Sequence, residues 1–223
     1  MSIASLWDRL TRIGDPVELI WGYAKKATLT NEGGFVDHSS DPGGATNYGV
    51  SLRFLRSLGV ALGDVDGDGD VDEHDIRALT KDKAAFLFRV KFWRPAKCSE
   101  VARSSPALAI KLFDTAVNTG VRQAVRLLQR AINASGVNKP ISVDGLIGPQ
   151  TLGMVRNLDP KRVLRALARE QEAFYVELVA NNSDLGVFLK GWRRRARWVP
   201  SSARIVVSVL GHNRSGLSNR RVL

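Results

Sequence analysis

A chain of 223 residues with 44% hydrophobic and 25% charged side chains has an ordinary globular make-up, and it is long enough to bury a core as one large domain or two small ones. Cys98 is the only cysteine, which excludes an intrachain disulfide framework, and no apolar run approaches a membrane-spanning length. The net charge of +11 is unevenly placed: residues 64–75 hold seven of the 22 acids and no Lys or Arg, leaving 33 bases against 15 acids elsewhere. A basic surface of this kind suits polyanions, but no nucleic-acid-binding motif accompanies it, so no specific nucleic-acid partner is expected.

In chain order, Leu6, Trp7 and Leu10 mark a short amphipathic helix over residues 4–12. Asp15 is a good N-cap, Pro16 suits the first helical position, and Glu18 stands three residues after the cap. Val17, Ile20, Trp21 and Ala24 then form one apolar stripe, and Gly33-Gly34 ends the helix. Glu32 is therefore expected in the last turn, near Phe35 and Tyr48, where desolvation raises a carboxyl pKa and suits it to general-acid work. Asp41, in the polar turn Asp41-Pro42-Gly43-Gly44, is expected to stay ionised, although Asp before Pro-Gly-Gly is also ordinary turn chemistry. Two carboxylates pushed apart in pKa by their surroundings are what glycoside hydrolysis needs. The loop itself is expected to be irregular or a small β-hairpin, with Ser51 capping a helix through Leu52, Phe54, Leu55 and Leu58.

The run from Asp64 to Asp75 fits the twelve-residue calcium loop position by position. Asp64, Asp66 and Asp68 occupy positions 1, 3 and 5, and Gly69 stands at 6 for the turn. Asp70 offers its carbonyl at 7, Val71 fills the apolar position 8, and Asp72 stands at 9. Asp75 replaces the usual Glu at 12, as in loops that resemble the dockerin type. The bland alternative is a solvated acidic turn. A calcium ion here would be structural, and His74 is expected to face solvent rather than bind it.

Thr80 caps the next helix, with Ala84, Ala85, Phe88 and Val90 partly buried and Trp93-Arg94-Pro95 closing it. Ser105-Pro106 opens a mostly apolar helix (Leu108, Ile110, Leu112, Phe113, Ala116, Val117) that Gly120 stops, and this is the expected core helix. Asp114 and Asn118, four apart on one of its faces, either line a cleft or satisfy buried backbone groups. Ala124, Leu127, Leu128 and Ile132 mark another helix ending near Gly136. Asp144-Gly145 is a tight turn, Gly148-Pro149 begins a helix, and Pro160 begins a long one. The 144–151 segment reads as part of a sugar- or peptide-binding module, or as turn and cap chemistry. Trp192, Arg193, Arg194, Arg195, Arg197 and Trp198 form a basic aromatic segment able to stack on sugars or bind phosphates, or simply to face solvent. From Lys190 onward there are nine bases and no acids, so residues 200–223 read as a loosely ordered basic tail.

Several of these motifs carry a resemblance. Glu32-Gly33-Gly34-Phe35 with Asp41-Pro42-Gly43-Gly44-Ala45-Thr46-Asn47-Tyr48-Gly49 resembles the signature of glycoside hydrolase family 108, bacterial and phage N-acetylmuramidases with a lysozyme-like helical fold. The Glu, eight residues, Asp, four residues, Thr spacing is also similar to the Glu/Asp/Thr triad of phage-type lysozymes, which usually place five residues before the Thr. Phe92-Trp93-Arg94-Pro95 and the run from Leu112 to Gly120 resemble the same family. Leu127-Leu128-Gln129, Asp144 to Thr151, and Phe188 to Trp192 with Arg194 resemble the predicted peptidoglycan-binding region that follows it. The calcium-type loop departs from the family pattern.

The expectation is an all-α, mainly helical lysozyme-like fold: a muramidase region at 1–100 with the calcium loop inserted, a helical peptidoglycan-binding region at 101–199, and a basic tail at 200–223. The resemblance implies cleavage of the β-1,4 bond between N-acetylmuramic acid and N-acetylglucosamine. Glu32 would protonate the leaving oxygen, Asp41 would handle water or stabilise the oxocarbenium-like transition state, and Thr46 would position water. Asn47 and Tyr48, with Asp114 and Asn118, are the expected substrate contacts. Peptidoglycan is the expected partner of a monomer, with the anionic bacterial envelope met through the tail. With no signal-length apolar run at residues 1–12, synthesis in the bacterial cytoplasm and release through a holin-type pore, lysis or dedicated export is expected, as for an endolysin. The competing readings are a lytic transglycosylase and a non-catalytic wall-binding or export-accessory protein.

Overall fold

The structure, a computed structural model, describes residues 15–30, 45–201 and 205. These are mainly helical, with one two-stranded antiparallel ladder, which is the mainly α, lysozyme-like class expected. The chain forms two compact units, residues 25–91 and residues 1–24 with 92–223. The expected helix at 4–12, the Gly33-Gly34 stop and, apart from Ser201 and Ile205, the tail beyond Pro200 lie outside the described residues.

Helix α1 (Pro16–Thr30) begins as its sequence dictates: Asp15 Oδ1 accepts a hydrogen bond from the Val17 N–H at 2.9 Å. Val17, Ile20, Trp21 and Ala24 are all buried.

In the 25–91 unit, strands β1 (Thr46–Asn47) and β2 (Val50–Ser51) pair Thr46 with Ser51 and Asn47 with Val50. The two residues between them, Tyr48 and Gly49, have φ of +49° and +75°, the double left-handed geometry of a type I′ turn. That turn is favoured because its twist matches the twist of the flanking strands. Ser51 then caps α2 (Leu52–Ser57), its Oγ accepting from the Phe54 N–H at 3.2 Å. A short turn of helix, α3 (Val60–Gly63), leads into the acidic loop, followed by α4 (Glu73–Ala78) and α5 (Lys81–Phe88). Val50, Leu55, Ile76, Leu87 and Phe88 make the small core, with Phe54 stacked on Phe88 at 6.3 Å.

Beyond Phe88 the helix widens into a π turn, Arg89–Trp93. The sequence gives no sign of this, because a π turn needs no special residue and arises from how its flanks must pack.

The second unit is built around α7 (Pro106–Thr119), in which every residue from Pro106 to Ala116 is buried. It packs against α6 (Cys98–Ser104), α8 (Val121–Asn133) and α10 (Pro160–Asn181). α7 is the expected core helix, started by Ser105, whose Oγ accepts from the Leu108 N–H at 3.3 Å, and stopped by Gly120 at φ +79°. Trp21, Trp93 and Phe113 meet edge to face, with ring centroids 5.2–5.7 Å apart. Cys98 is fully enclosed at the start of α6, and burial pushes its thiol well above the ordinary range. α9 (Pro149–Asn157), a 3₁₀ turn (Ser183–Phe188) and α11 (Leu189–Arg197) complete the unit.

Candidate functional site

Of the three expected catalytic residues, Glu32 and Asp41 lie outside the described residues. Thr46 is placed on β1 opposite Ser51, half-buried at the mouth of the hairpin. The next residue turns inward: Asn47 is buried, and its Nδ2 donates to the Ile76 carbonyl at 3.0 Å, tying the hairpin to α4. Tyr48 is half-buried at the turn, with Lys81 Nζ 5.9 Å from its ring centroid. Two side chains expected to touch sugar thus differ in placement. The Asn47 amide is engaged within the scaffold, while the Tyr48 ring stands at the hairpin tip.

In the acidic loop, Gly67 and Gly69 have φ of +86° and +99°, which lets the chain curl over the Asp64 carboxylate. Asp64 accepts from the Gly67 N–H at 2.6 Å and the Gly69 N–H at 3.0 Å. Asp75 is fully buried; it accepts from the N–H groups of Val65, Asp66 and Asp72, so one carboxylate joins both ends of the loop. Asp72 caps α4 through the His74 N–H, and the exposed His74 ring packs on its other oxygen at 3.0 Å. The carboxylates gather as Asp64–Asp66–Asp68 and Asp70–Asp72–Asp75, each set within 4.8 Å, an arrangement that can hold a metal ion. Desolvation and the neighbouring Asp68 push the Asp66 carboxyl above its ordinary range, and Asp68 does the same to Asp70. A hard cation accepting oxygen ligands relieves that crowding.

Asp114 and Asn118 belong to the other unit. Arg195 directs Nε (3.1 Å) and Nη2 (3.0 Å) at Asp114 Oδ1, while Oδ2 is buried without a hydrogen bond among the described residues. Asn118 Nδ2 donates to the Asp114 carbonyl one turn back at 3.0 Å. Beside them lies a residue the sequence reading passed over. Lys111 is fully buried in α7, and its Nζ donates to the carbonyls of Arg195 and Ala196, both at 2.9 Å. It caps the C-terminal end of α11, with the Trp198 ring 5.9 Å away. Burial lowers its pKa to about 8. A single Lys within Pro106-Ala107-Leu108-Ala109-Ile110-Lys111-Leu112-Phe113 was the available signal.

Gln129, named above only within the run that resembles the peptidoglycan-binding region, is buried and organises the 144–151 segment. Its Nε2 donates to Asp144 Oδ1 at 2.7 Å and the Leu146 carbonyl at 3.0 Å, while its Oε1 accepts from the Gly145 N–H at 2.9 Å. On α10, Glu172 receives Arg197 through two hydrogen bonds of 2.9 and 2.6 Å and stands 3.5 Å from Arg193. The Arg197 hydrogen bond holds the Glu172 carboxyl below its ordinary range.

The described residues thus combine a mainly helical, lysozyme-like fold with a short hairpin at Thr46–Ser51. Residues 25–120 match the family described as Glycosyl hydrolase 108, and residues 123–197 match the one described as Predicted Peptidoglycan domain. A glycosyl hydrolase 108 region followed by a C-terminal peptidoglycan domain supports a glycoside hydrolase acting on peptidoglycan. Among solved structures the chain is similar to SagA of Brucella abortus, at 27% identity over 87% of this chain and 95% of that one, with a TM-score of 0.60. Comparison with curated proteins gave no match. No helix among the described residues is long and apolar enough to cross a membrane.

Proposed function

We propose that the protein is an N-acetylmuramidase that hydrolyses the β-1,4 bond between N-acetylmuramic acid and N-acetylglucosamine. The observation that carries this reading is that the family 108 match, 25–120, contains the run from Glu32 through Asp41 to Thr46. In that reading Glu32 gives its proton to the glycosidic oxygen as the bond to the anomeric carbon breaks. Asp41 either takes the proton of the attacking water or stabilises the oxocarbenium-like centre, and Thr46 orients the water from the hairpin. By analogy with the phage-type triad, the water adds with inversion. Tyr48 meets the sugar from the hairpin tip. Release to the wall by lysis, a holin-type pore or export, as a monomer drawn to the anionic envelope by its basic tail, completes the reading.

We further infer that the 64–75 loop takes calcium. The support is its all-oxygen donor set in two close triplets, with glycines at the two positions where the chain must curl. The ion's role is to neutralise the loop between α3 and α4, outside the reaction itself.

The test is product analysis on purified peptidoglycan. Reducing muramic acid ends from the wild type, lost in Glu32→Gln, are the expected result. Products lighter by one water would assign a lytic transglycosylase instead, and cleavage surviving Glu32→Gln would remove the mechanism.

A further inference from the structure

One face of α11 has no role in the mechanism above. Lys190, Arg193, Arg194 and Arg197 stand at i, i+3, i+4 and i+7, so their charges lie in one row about 10 Å long. They line an open groove of about 760 Å³ together with Gly186, Leu189 and Trp198. Glu172 neutralises part of this row by pairing with Arg193 and Arg197, whereas Lys190 and Arg194 are exposed and meet no acid among the described residues. Holding three or more like charges on one helix face is unfavourable by itself, so the row makes sense as a receptor for a multiply charged anion. The groove is not purely ionic. Leu189 and the half-buried Trp198 give it an apolar wall, which a bare phosphate chain would leave idle and which a sugar or peptide covers. All of its lining residues except Trp198 fall inside the segment matched to the peptidoglycan domain.

We propose that this groove binds peptidoglycan through the free carboxylates of its stem peptides, with the Arg194 guanidinium fork and the Lys190 ammonium as donors, Arg193 and Arg197 held beside them by Glu172, and Trp198 beneath the attached sugar or peptide. Guanidinium matches a carboxylate through two parallel hydrogen bonds, which suits Arg194 to a stem-peptide carboxylate. The proposal rests on the reading of the protein as a peptidoglycan hydrolase and names the chemistry its second unit recognises. The groove holds the strand; it takes no part in bond cleavage.

The test uses the full chain carrying Glu32→Gln and soluble, uncross-linked glycan strands stripped of phosphate polymers, titrated calorimetrically. Lys190→Gln with Arg194→Gln should weaken binding at least tenfold and flatten its salt dependence, while the charge-keeping pair Lys190→Arg and Arg194→Lys should bind nearly as well as the parent. Strands with carboxylates converted to methylamides should bind the parent as weakly as native strands bind the Gln pair. Affinities within twofold across these changes would overturn the proposal. So would a loss seen only with teichoic acid, which would make a phosphate polymer the ligand. Reducing-end release from the same strands by the unsubstituted chain is scored separately, so failure of the muramidase reading and failure of the groove are told apart.

Discussion

Lys111 shows how much one side chain can impose on the rest. Its ammonium is enclosed between α7 and the last carbonyls of α11, and burial brings its pKa from 10.5 to about 8. Between those two values the unfolded chain binds more protons than the folded one, so this group makes stability rise with pH from about 8 to about 10.5. Urea denaturation at pH 7, 8, 9 and 10 should show that rise in the wild type and not in Lys111→Met. The Met variant leaves the Ala196 carbonyl without its partner, while the Arg195 carbonyl keeps the Trp198 N–H, and it should be less stable at pH 7 by about 1–3 kcal/mol. An unchanged slope in the variant would assign the titration to another group. Tyr48 permits a second prediction at this scale. A non-glycine residue at φ +49° is strained, and Asn tolerates that region better. Tyr48→Asn should therefore leave stability equal or raise it by up to about 1 kcal/mol. If the ring meets sugar, kcat/KM on glycan strands should nonetheless fall; activity that stays level removes Tyr48 from the substrate contacts.

Among the elements, what the sequence revealed was what local chemistry decides. Asp15, Ser51, Thr80 and Ser105 each cap the helix that their position announces, and Pro106, Pro149 and Pro160 each open one. The hairpin is one of two expectations for its loop, irregular or a small β-hairpin, and the structure shows it at Thr46–Ser51. What could not be read depends on partners distant in the chain. Examples are the π turn at Arg89–Trp93, the Lys111 cap on residues 84 and 85 positions away, and the use of the Asn47 amide as a tie to Ile76. Gln129 belongs with these, since nothing in its own helix signals that it will organise a turn fifteen residues on. That turn yields a prediction. Gly145 has φ +80°, and a Cβ there would stand 2.6 Å from the Arg122 Cγ and 2.9 Å from the Arg122 carbonyl. Gly145→Ala should cost about 1–3 kcal/mol in chemical denaturation, more than a helix-interior Gly→Ala, which usually gains stability. A neutral result would mean that the Gln129 network reforms around a shifted turn.

At the level of the whole molecule, the calcium reading separates two kinds of aspartate. Asp75 closes the loop by accepting three backbone N–H groups, so Asp75→Ala should lower the melting temperature even in chelator. Asp66 is held where its neighbours disfavour its charge, so Asp66→Asn should cost nothing in chelator but abolish the response to calcium. In the wild type, free calcium at a hundred times its dissociation constant should add about 2.7 kcal/mol, or roughly 5–10 °C in melting temperature for a chain of this size. Scanning calorimetry with calcium and with chelator checks all three. A wild type indifferent to calcium would leave the loop as a self-capped acidic turn.

The enclosure of Cys98 has a practical corollary. Its sulfhydryl keeps its proton and is fully enclosed at the start of α6, so maleimides and other thiol reagents should pass the native protein by. A cysteine introduced at an exposed position such as Glu73 will then be the only reactive handle on the folded chain. A dye placed there would report on one site without any change to the native residue.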